Sequence, residues 1–392
     1  MEMNGAEFSI IGAGIGGLAA AIALSHKGAS VTIYDQAKTL GEVGAGLQIS
    51  PNGVAVLDAL GLKDKAAKVA NAPQAIVLRD FSGADVTRLN LNNKADANPY
   101  WQFHRADLLD VLASTARAAG VRFCFDHKVT NVARNGAGAL IEFSEQESVL
   151  VDCLIAADGV RSPTRSAVFG GQAAEFTGQV AWRGLVPADR LPDGLFANET
   201  QVFMGKGRHL VTYPLRGGSV INFVAVEERK NWADEGWNIP DTAENLRGAF
   251  SGWAASVEHL LAAVDHTFLW GLFNHPVLPR WSDGQVALLG DACHPMLPFL
   301  AQGAVMGLED AWVLADALEK SGDIPAGLRQ YEDRRKSRAT RVQNAAKRNA
   351  WGYHLRMPGF RGLAHGILRH SSPDKLLAKY DWLYGHDVTK AD

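Results

Sequence analysis

The stretch FSIIGAGIGG, residues 8–17, decides the fold class. A short apolar run suited to a buried parallel strand leads directly into a glycine-rich turn, and apolar residues at helical spacing follow. Gly12 permits the tight turn, Gly14 lets the backbone approach a pyrophosphate, and Gly17 lets helix and strand pack closely. The N-terminus of the helix, near Ile15, would then face the phosphate charge. The stretch therefore predicts a dinucleotide-binding unit.

The residues around the turn distinguish a dinucleotide-binding turn from a turn that exists only for packing. A second apolar run, residues 30–34, ends at Asp35, at about the 20-residue distance from which an acid can bind ribose hydroxyls. Strand, turn, helix, strand and acid in this order favour dinucleotide binding. Because Asp35 would repel a 2′-phosphate, we expect the nucleotide to be FAD or NAD rather than NADP.

Composition limits the remaining possibilities. The chain has 392 residues, 47% hydrophobic and 21% charged, which is typical of a globular protein long enough for two domains. A net charge of −3 provides no basic field, so no nucleic acid partner is expected. Three widely spaced cysteines predict neither a disulfide framework nor a zinc site, and they suit the cytoplasm. The one stretch that resembles a membrane span, residues 8–24, is the glycine-interrupted unit itself, so we expect no membrane association.

Two further apolar runs end in an acid and a glycine. The run over residues 149–156 leads to Asp158-Gly159, and the run over 286–289 leads to Gly290-Asp291. Ligands of open α/β sheets lie beyond the carboxyl ends of the strands. Asp158-Gly159 could equally be a turn that caps the next helix. Three strand ends of this kind in one chain indicate that one extended ligand contacts all three, with its adenosine pyrophosphate at the first strand end.

A β-like pattern without helices runs from residue 179 to 226, which indicates an antiparallel sheet and a second domain of α+β type. The predicted strands are 179–186, 201–204, 209–213 and 219–226, and a helical stretch follows over 242–264. We therefore predict an α/β fold with a Rossmann-like nucleotide-binding domain over residues 1–74, 99–176 and 266–350. An α+β substrate domain, residues 75–98 and 177–265, would be inserted into it, and residues 351–392 would form a helical C-terminal tail.

Three motifs resemble the fingerprints of the group A FAD-dependent aromatic monooxygenases, which include salicylate 1-monooxygenase, 3-hydroxybenzoate 6-hydroxylase and 6-hydroxynicotinate 3-monooxygenase. They are GAGIGG at 12–17, AADGVRS at 156–162 and GDACHPMLPFLAQGAVMGLEDA at 290–311. The resemblance implies that FAD is bound non-covalently and that NADH or NADPH reduces it. It further implies that a flavin hydroperoxide, formed from O2, hydroxylates a small phenolic, hydroxybenzoate-like or N-heteroaromatic substrate.

Carried over by position, the resemblance implies a set of cofactor contacts. Arg105 would lie near the pyrophosphate and ribityl chain, the backbone of Val129 near adenine, and Asp291 on the ribityl chain. A helix that opens at Gly303 and Ala304 would direct its positive end at the anionic reduced flavin. The predicted cofactor-binding residues are Gly12, Gly14, Ile15, Gly17, Asp35, Gly46, Arg105, Val129, Asp158, Gly159, Asp291, Gly303 and Ala304.

The chemistry of the family directs attention to His209, Tyr213 and Pro298. The substrate reacts faster as a phenolate, so the protein must supply a base or a hydrogen-bonded proton path. His209 and Tyr213, four residues apart in a predicted strand, would share one face, although each could be structural. Pro298 would rigidify the chamber beside the flavin ring. The resemblance does not imply that this chain shares the substrate of the hydroxynicotinate enzyme, because Gln48 and Phe299 stand at positions where that enzyme is expected to have histidines.

Several alternatives stay open at this point. Hydroxylation of urate or of a larger polycyclic compound, and hydride transfer by a flavoprotein reductase without oxygen insertion, are the competing functions. The motifs cover the redox end of the flavin, which disfavours a non-catalytic FAD-binding regulator. Arg183 is the candidate for a substrate carboxylate, and His294 and Cys293 are expected to be structural. The expected partners are a small aromatic substrate, O2 and NAD(P)H, with no metal, in a monomer or homodimer. Residues that could line the pocket or belong to the core are Trp182, Phe203, Phe223 and Phe299.

Overall fold

The computed structural model describes residues 3–41, 45–91, 98–136, 138–171, 173–230 and 239–390. Residues 42–44 lie outside the described residues, and so do parts of the predicted substrate domain, at residues 92–97 and 231–238. Among the described helices, none is both long and apolar enough to cross a membrane.

The strands of the described residues are as follows, in chain order: β1 Glu7–Ile11, β2 Ser30–Tyr34, β3 Gly46–Ile49, β4 Ala75–Asp80, β5 Asp85–Asn90, β6 Trp101–His104, β7 Arg122–Cys124, β8 Val129–Asn135, β9 Gly138–Phe143, β10 Val149–Val151, β11 Leu154–Ala156, β12 Glu175–Pro187, β13 Thr200–Gly205, β14 Arg208–Leu215, β15 Val220–Glu228, β16 Ile239–Asp241, β17 Thr267–Asn274, β18 Ser282–Asp283 and β19 Val286–Leu288.

The α-helices are α1 Ile15–His26, α2 Pro51–Ala59, α3 Lys63–Ala67, α4 Arg105–Ala118, α5 Pro163–Phe169, α6 Ala243–Ala249, α7 Ala255–Ala262, α8 Gly303–Lys320, α9 Ile324–Tyr353, α10 Pro358–His370, α11 Pro373–Ala378 and α12 Asp381–Tyr384. Short 3-10 turns at Gly290–Ala292 and Pro298–Leu300 lie between β19 and α8.

One sheet, in the order β18-β19-β11-β1-β2-β7, brings the three motifs together. Its strands pair in parallel apart from the edge hairpin of β18 and β19. Ile11, Ala156 and Leu288, the last residues of their strands, are in register across this sheet. The motif that follows each strand therefore leaves the sheet at the same edge, which is where open α/β sheets bind ligands.

A second sheet has the order β16-β17-β12-β15-β14-β13-β4-β5 and is antiparallel except for the β13–β4 pair. Alternate residues of its strands face opposite sides. One side packs with α6 and α7 into a separate apolar core that includes Trp182, Phe203 and Phe223. These three aromatics were pocket candidates, and the structure assigns them to this core instead. The other side of the sheet faces a large cavity.

The predicted α/β fold with an antiparallel sheet and a helical C-terminus is confirmed, with corrections to one strand and one helix. The predicted strand 149–156 is two strands, because the chain passes between sheets: β10 pairs with β9, and β11 with β1. The helix predicted over 242–264 is interrupted between α6 and α7, where Gly252 has a φ of +77°. β17 pairs with β12 although it lies beyond residue 265, the predicted end of the substrate domain. The division into domains stays a prediction.

Candidate active site

A cavity of about 890 Å³ lies between the carboxyl edge of the parallel sheet and the open side of the antiparallel sheet. The glycine turn, the Asp158 region and the 290–304 segment contribute to its wall, together with β14, β17 and the C-terminal helices. Twelve of the predicted site residues line it: Gly14, Ile15, Gly17, Gly46, Arg105, Gly159, His209, Tyr213, Asp291, Pro298, Gly303 and Ala304.

The start of α1 has the properties of a phosphate site. Gly14 caps the helix without a side-chain hydrogen bond, and the first turn contains no acidic residue. Its backbone N–H groups are therefore available to an anion in the cavity, as at other helix N-termini. Asp35 braces the turn: its carboxylate accepts hydrogen bonds from the N–H groups of Ala13 at 2.7 Å and Ala37 at 2.8 Å. Arg105, at the start of α4, adds a cation to the same cavity.

The start of α8 opens into the cavity in the same way. Gly303 and Ala304 line the wall, and the helix has neither a side-chain cap nor an acid in its first turn. Asp291 lies beside it and is open to the cavity, although protein atoms surround it. Burial raises the pKa of Asp291, and the positive charges of His294 and Arg105 act in the opposite direction.

A buried charged cluster fixes the segment that carries Asp291 and Pro298. The carboxylate of Asp310 accepts hydrogen bonds from Gly290 N–H at 3.0 Å and from Arg335 Nε at 2.7 Å, and it contacts His294 Nε2 at 2.5 Å. Burial acts to raise the pKa of Asp310, but His294 and Arg335 outweigh it and hold the pKa at about 2. Arg335 also donates to Glu309 at 2.7 Å. His294 therefore occupies a structural position behind the cavity.

Cys293, His294 and Asp310 lie close enough together to resemble a metal site. The Asp310 oxygens, however, already bind Arg335, His294 and a backbone N–H group. Cys293 is buried, and its thiol donates to Gly290 O at 3.3 Å. These contacts explain the cluster without a metal ion, and the expectation of no metal stays a prediction.

The two candidate catalytic residues of β14 both face the cavity. Burial raises the pKa of Tyr213 to about 12, with opposing effects from Arg183 and Gln48. The Tyr213 ring packs so closely on Gly46 that a Cβ at Gly46 would lie 2.7 Å from its hydroxyl oxygen. Gly46 N–H also donates to the Asn222 side chain at 2.7 Å. Gly46 thus allows β3 to pass directly beside the tyrosine.

His209 has a neighbour that the sequence did not indicate. Its Nδ1 lies 2.6 Å from Nε2 of His354, just beyond the end of α9, and His354 Nδ1 lies 3.1 Å from a Glu228 carboxylate oxygen. Burial is the main cause that lowers the pKa of His209 well below its usual value. Burial likewise lowers the pKa of His354 to about 4, against the opposing effect of Glu228. Both imidazoles are therefore neutral at pH 7.

These two shifts predict a loss of stability in weak acid. Both folded-state pKa values lie below the unfolded value of about 6.5, so the unfolded chain binds more protons between those values. The free energy of unfolding should therefore fall as the pH falls from about 6.5 toward 4, by up to ~1.4 kcal/mol per pH unit for each group. His294 has the opposite dependence: burial acts to lower its pKa but Asp310 and its other partners raise it, so its contribution to stability is lost as the pH rises above about 6.5.

Urea unfolding of the wild type, His354→Gln and His370→Gln between pH 4.5 and 7.5 measures this effect. His370 is an exposed histidine of the same tail and serves as the control. The pH dependence should become shallower in His354→Gln alone. Equal slopes in all three proteins would contradict the assignment.

Arg183 is an unusual cation on the wall of the cavity. Its guanidinium stacks on the Trp270 ring, with Cζ 4.6 Å from the ring centroid, and its Nε is shielded from solvent without a hydrogen-bond partner. No carboxylate of the described residues pairs with it. Burial lowers its pKa, with an opposing effect from Tyr213. A desolvated guanidinium that faces a cavity suits an anionic ligand.

Four predicted cofactor residues lie off the cavity wall: Gly12, Asp35, Val129 and Asp158. Gly12 and Asp35 shape the turn behind the wall, and Val129 begins β8 in a small separate sheet. Asp158 accepts hydrogen bonds from the hydroxyl of Thr164 at 2.8 Å and from its N–H at 3.3 Å, so it braces α5. Its other oxygen has no partner among the described residues, and burial raises its pKa. The direct ligand contacts predicted for these four remain predictions.

The C-terminal tail supplies cavity residues that the sequence did not reveal. Tyr353, Leu377, Tyr380 and Tyr384 line the wall, and Tyr380 and Tyr384 stack with ring centroids 5.7 Å apart. Their spacing of four on helical segments was a visible signal, because such residues share one face. The signal does not show which surface this face covers.

Comparison with known proteins decides the family. The FAD binding domain family model matches residues 6–346, which is most of the chain. The chain belongs to the FAD-dependent aromatic monooxygenases. It is 33% identical over 387 residues to 3-amino-4-hydroxybenzoate 2-monooxygenase PtnB3 of Streptomyces platensis, covering 97% of this chain and 96% of that protein. It is 31% identical over 388 residues to 6-hydroxynicotinate 3-monooxygenase of Bordetella bronchiseptica, covering 97% and 95%.

Solved structures agree with this assignment. Klebsiella pneumoniae HpxO, in complex with FAD and uric acid, matches with a TM-score of 0.83 and 29% identity, covering 95% of each chain. The protein is accordingly a flavoprotein monooxygenase, and FAD is its cofactor. The free N–H groups at the starts of α1 and α8, the cation of Arg105 and the open space beside Gly14 all fit that cofactor. The reductase and regulator alternatives are not favoured.

Proposed function

We propose that this monooxygenase hydroxylates a single aromatic ring that carries both a phenol-like hydroxyl and a carboxylate. The two relatives described above are named for such rings, a hydroxybenzoate and a hydroxynicotinate. NADH or NADPH would be the reductant and O2 the oxygen source. Arg161 and Arg165, on the wall near Gly159, provide positive charge that suits a pyridine nucleotide.

The position of Arg183 carries this proposal. A half-buried guanidinium with a shielded Nε and no carboxylate partner among the described residues has a desolvation cost that a paired ligand would offset. A carboxylate in the cavity would pair with it while the ring of the same molecule lies near Tyr213 and His209, which line the same wall. Urate has no carboxylate and larger polycyclic compounds need not carry one, so a guanidinium suited to a carboxylate favours the smaller acids.

The protein residues have separate tasks in this proposal. FAD supplies the redox chemistry that activates oxygen. Arg183 orients the substrate, Tyr213 and Gln48 offer hydrogen bonds to it, and His209 accepts its phenolic proton. Pro298 and Phe299, within the 290–304 segment, form part of the cavity wall and help exclude water.

A substrate panel tests the proposed function directly. Purified holoenzyme is mixed with NADH or NADPH and with phenols, hydroxybenzoates, hydroxynicotinates, urate or polycyclic phenols, and nucleotide oxidation is recorded. Products formed under ¹⁸O2 are then analysed by mass. Carboxylated phenols should stimulate oxidation and gain one labelled oxygen atom. Stimulation by urate or polycyclic compounds alone, or oxidation without labelled product, would refute the proposal.

Replacing Arg183 with glutamine should separate binding from folding. Loss of the charged hydrogen bonds, worth about 1.5–3 kcal/mol, should raise the KM for a carboxylated phenol about 10- to 100-fold. The KM for its decarboxylated counterpart should not change. Because the variant removes an unpaired buried charge, its thermal midpoint should be equal to or higher than that of the wild type.

Arg190→Gln is the matched control, because Arg190 belongs to the same sheet region but pairs with Asp265 at the surface. It should leave both KM values unchanged. Equal losses for the two substrates of Arg183→Gln, together with a lower thermal midpoint, would indicate a structural arginine instead.

A cytoplasmic location also belongs to this proposal. All three cysteines are free thiols, which suits a reducing compartment. The monomeric or homodimeric state predicted from the sequence can be measured by light scattering.

A further inference from the structure

Three titratable side chains form a continuous line from the cavity to the protein surface. His209 lines the cavity and is 2% exposed, and its Nδ1 lies 2.6 Å from His354 Nε2. The other nitrogen of His354 lies 3.1 Å from an oxygen of Glu228. The Glu228 side chain is 22% exposed, so the line ends in contact with water.

We propose that His209, His354 and Glu228 are a proton relay that conducts the phenolic proton of the substrate from the cavity to solvent. This inference rests on the proposed function, because it requires a substrate with an ionisable hydroxyl. His209 would be the catalytic base, and His354 and Glu228 would act through it.

The proton transfers balance without any further reactant. The O–H bond of the phenol breaks, and an N–H bond forms at Nε2 of His209. The proton on Nδ1 of His209 passes to Nε2 of His354, and the proton on Nδ1 of His354 passes to Glu228, which releases it to water. After hydroxylation the product phenolate takes up a proton along the same path in reverse, which restores both tautomers.

The surroundings of the line suit such a transfer. A neutral imidazole can accept a proton on one nitrogen while it donates from the other, and burial keeps both rings neutral. His209 Nε2 has no hydrogen bond to the described residues, which leaves it available to a substrate. Phe299 and Tyr353 pack around the His209 ring, with centroids 5.4 and 5.2 Å away. Among the described residues, His354 is the hydrogen-bond partner recorded for the His209 ring.

The outer end of the line is held by opposite charge. Arg356 Nε donates to Glu228 at 2.7 Å. Glu228 is the last residue of β15, and His354 directly follows the last residue of α9. The C-terminal tail therefore supplies the middle member of the line.

The tautomers of the two histidines can be measured without any substrate. Histidine-selective ¹⁵N labelling of the holoenzyme at pH 7, with His354→Gln for assignment, distinguishes a protonated ring nitrogen from a bare one. The relay requires that both His209 and His354 carry their proton on Nδ1. A proton on Nε2 of His354 in the resting protein would overturn the proposal.

The rate of proton transfer is tested with 4-hydroxy-3-nitrobenzoate, a carboxylated phenol whose phenolate absorbs visible light. Stopped-flow mixing with oxidised holoenzyme at pH 5.5 records ionisation of the bound probe, and titration gives its Kd. His354→Gln and Glu228→Gln should each slow ionisation at least tenfold with little change in Kd. His365→Gln, a buried histidine of α10 outside the line, is the matched control and should ionise the probe at the wild-type rate.

The outcomes separate the relay from the function on which it rests. If the wild type does not bind the probe and oxidises no carboxylated phenol, the proposed function fails and the relay loses its substrate, whatever tautomers the two histidines have. If the wild type ionises the probe and both glutamine variants match its rate, the relay is wrong while the function stands.

Discussion

Replacing Arg335 with methionine is expected to lower the free energy of unfolding by about 3–5 kcal/mol. Arg335 is 1% exposed, and it donates to Asp310 and to Glu309 at 2.7 Å each. Both carboxylates are fully buried, and the substitution removes a charged hydrogen-bond partner from each of them, although Arg338 stays on Glu309 and His294 stays on Asp310. Methionine has a similar length and fills most of the space, so the effect reports charge rather than packing.

The same substitution should weaken FAD binding. Asp310 fixes Gly290 and His294, and these residues position the segment that carries Asp291 and Pro298. A displaced Asp310 therefore disturbs the wall at the flavin end of the cavity. Urea unfolding of the apoprotein and fluorescence titration with FAD measure the two effects separately.

Arg334→Met, at the adjacent preceding position of α9, is the matched control. Arg334 pairs with Asp316 near the surface, where an ion pair contributes about 0–1 kcal/mol. It should keep wild-type FAD affinity. Similar stability losses in the two variants would show that the helix, and not the buried cluster, is responsible.

The sequence predicted the parallel sheet and its edge because both depend on local signals. An apolar strand, a turn and an acid are contiguous, and strand register then brings the three motifs to one place. The alternation of side-chain direction along a strand could also have shown which pocket candidates face the core and which face the cavity. Trp182 and Arg183 are neighbours in β12, so they must face opposite sides, and the structure buries Trp182 and directs Arg183 to the cavity.

The C-terminal contribution could not be predicted in the same way. His354 lies 145 residues from His209 in the sequence, and no local pattern indicates that the end of α9 contacts β14. Helical periodicity identifies the face of a helix that is buried, but not the surface that buries it. For the same reason the sequence predicts only a helical tail around Tyr380 and Tyr384 and does not indicate that they line the cavity.

Substitution of alanine for two glycines of the first turn should separate FAD binding from folding. A Cβ at Gly14 would meet no atom of the described residues within 4 Å, whereas a Cβ at Gly17 would lie 2.0 Å from the carbonyl oxygen of Gly12. Gly14→Ala should therefore change the stability of the apoprotein by less than about 1 kcal/mol, because alanine restricts the unfolded chain but is a poorer N-cap than glycine. It should weaken FAD binding at least tenfold, because the methyl group occupies the space through which the pyrophosphate approaches the backbone.

Gly17→Ala should reduce both apoprotein stability and FAD affinity, because the turn must move to relieve the backbone contact. Alanine is otherwise favoured over glycine within a helix by about 1 kcal/mol, so a loss of stability has the opposite sign from helix propensity. Gly248→Ala in α6 is the matched control, since a Cβ there meets nothing within 4 Å, and it should stabilise the protein slightly. Thermal unfolding of the three apoproteins and FAD titration decide the matter. Wild-type FAD affinity in Gly14→Ala would show that the pyrophosphate does not approach this turn.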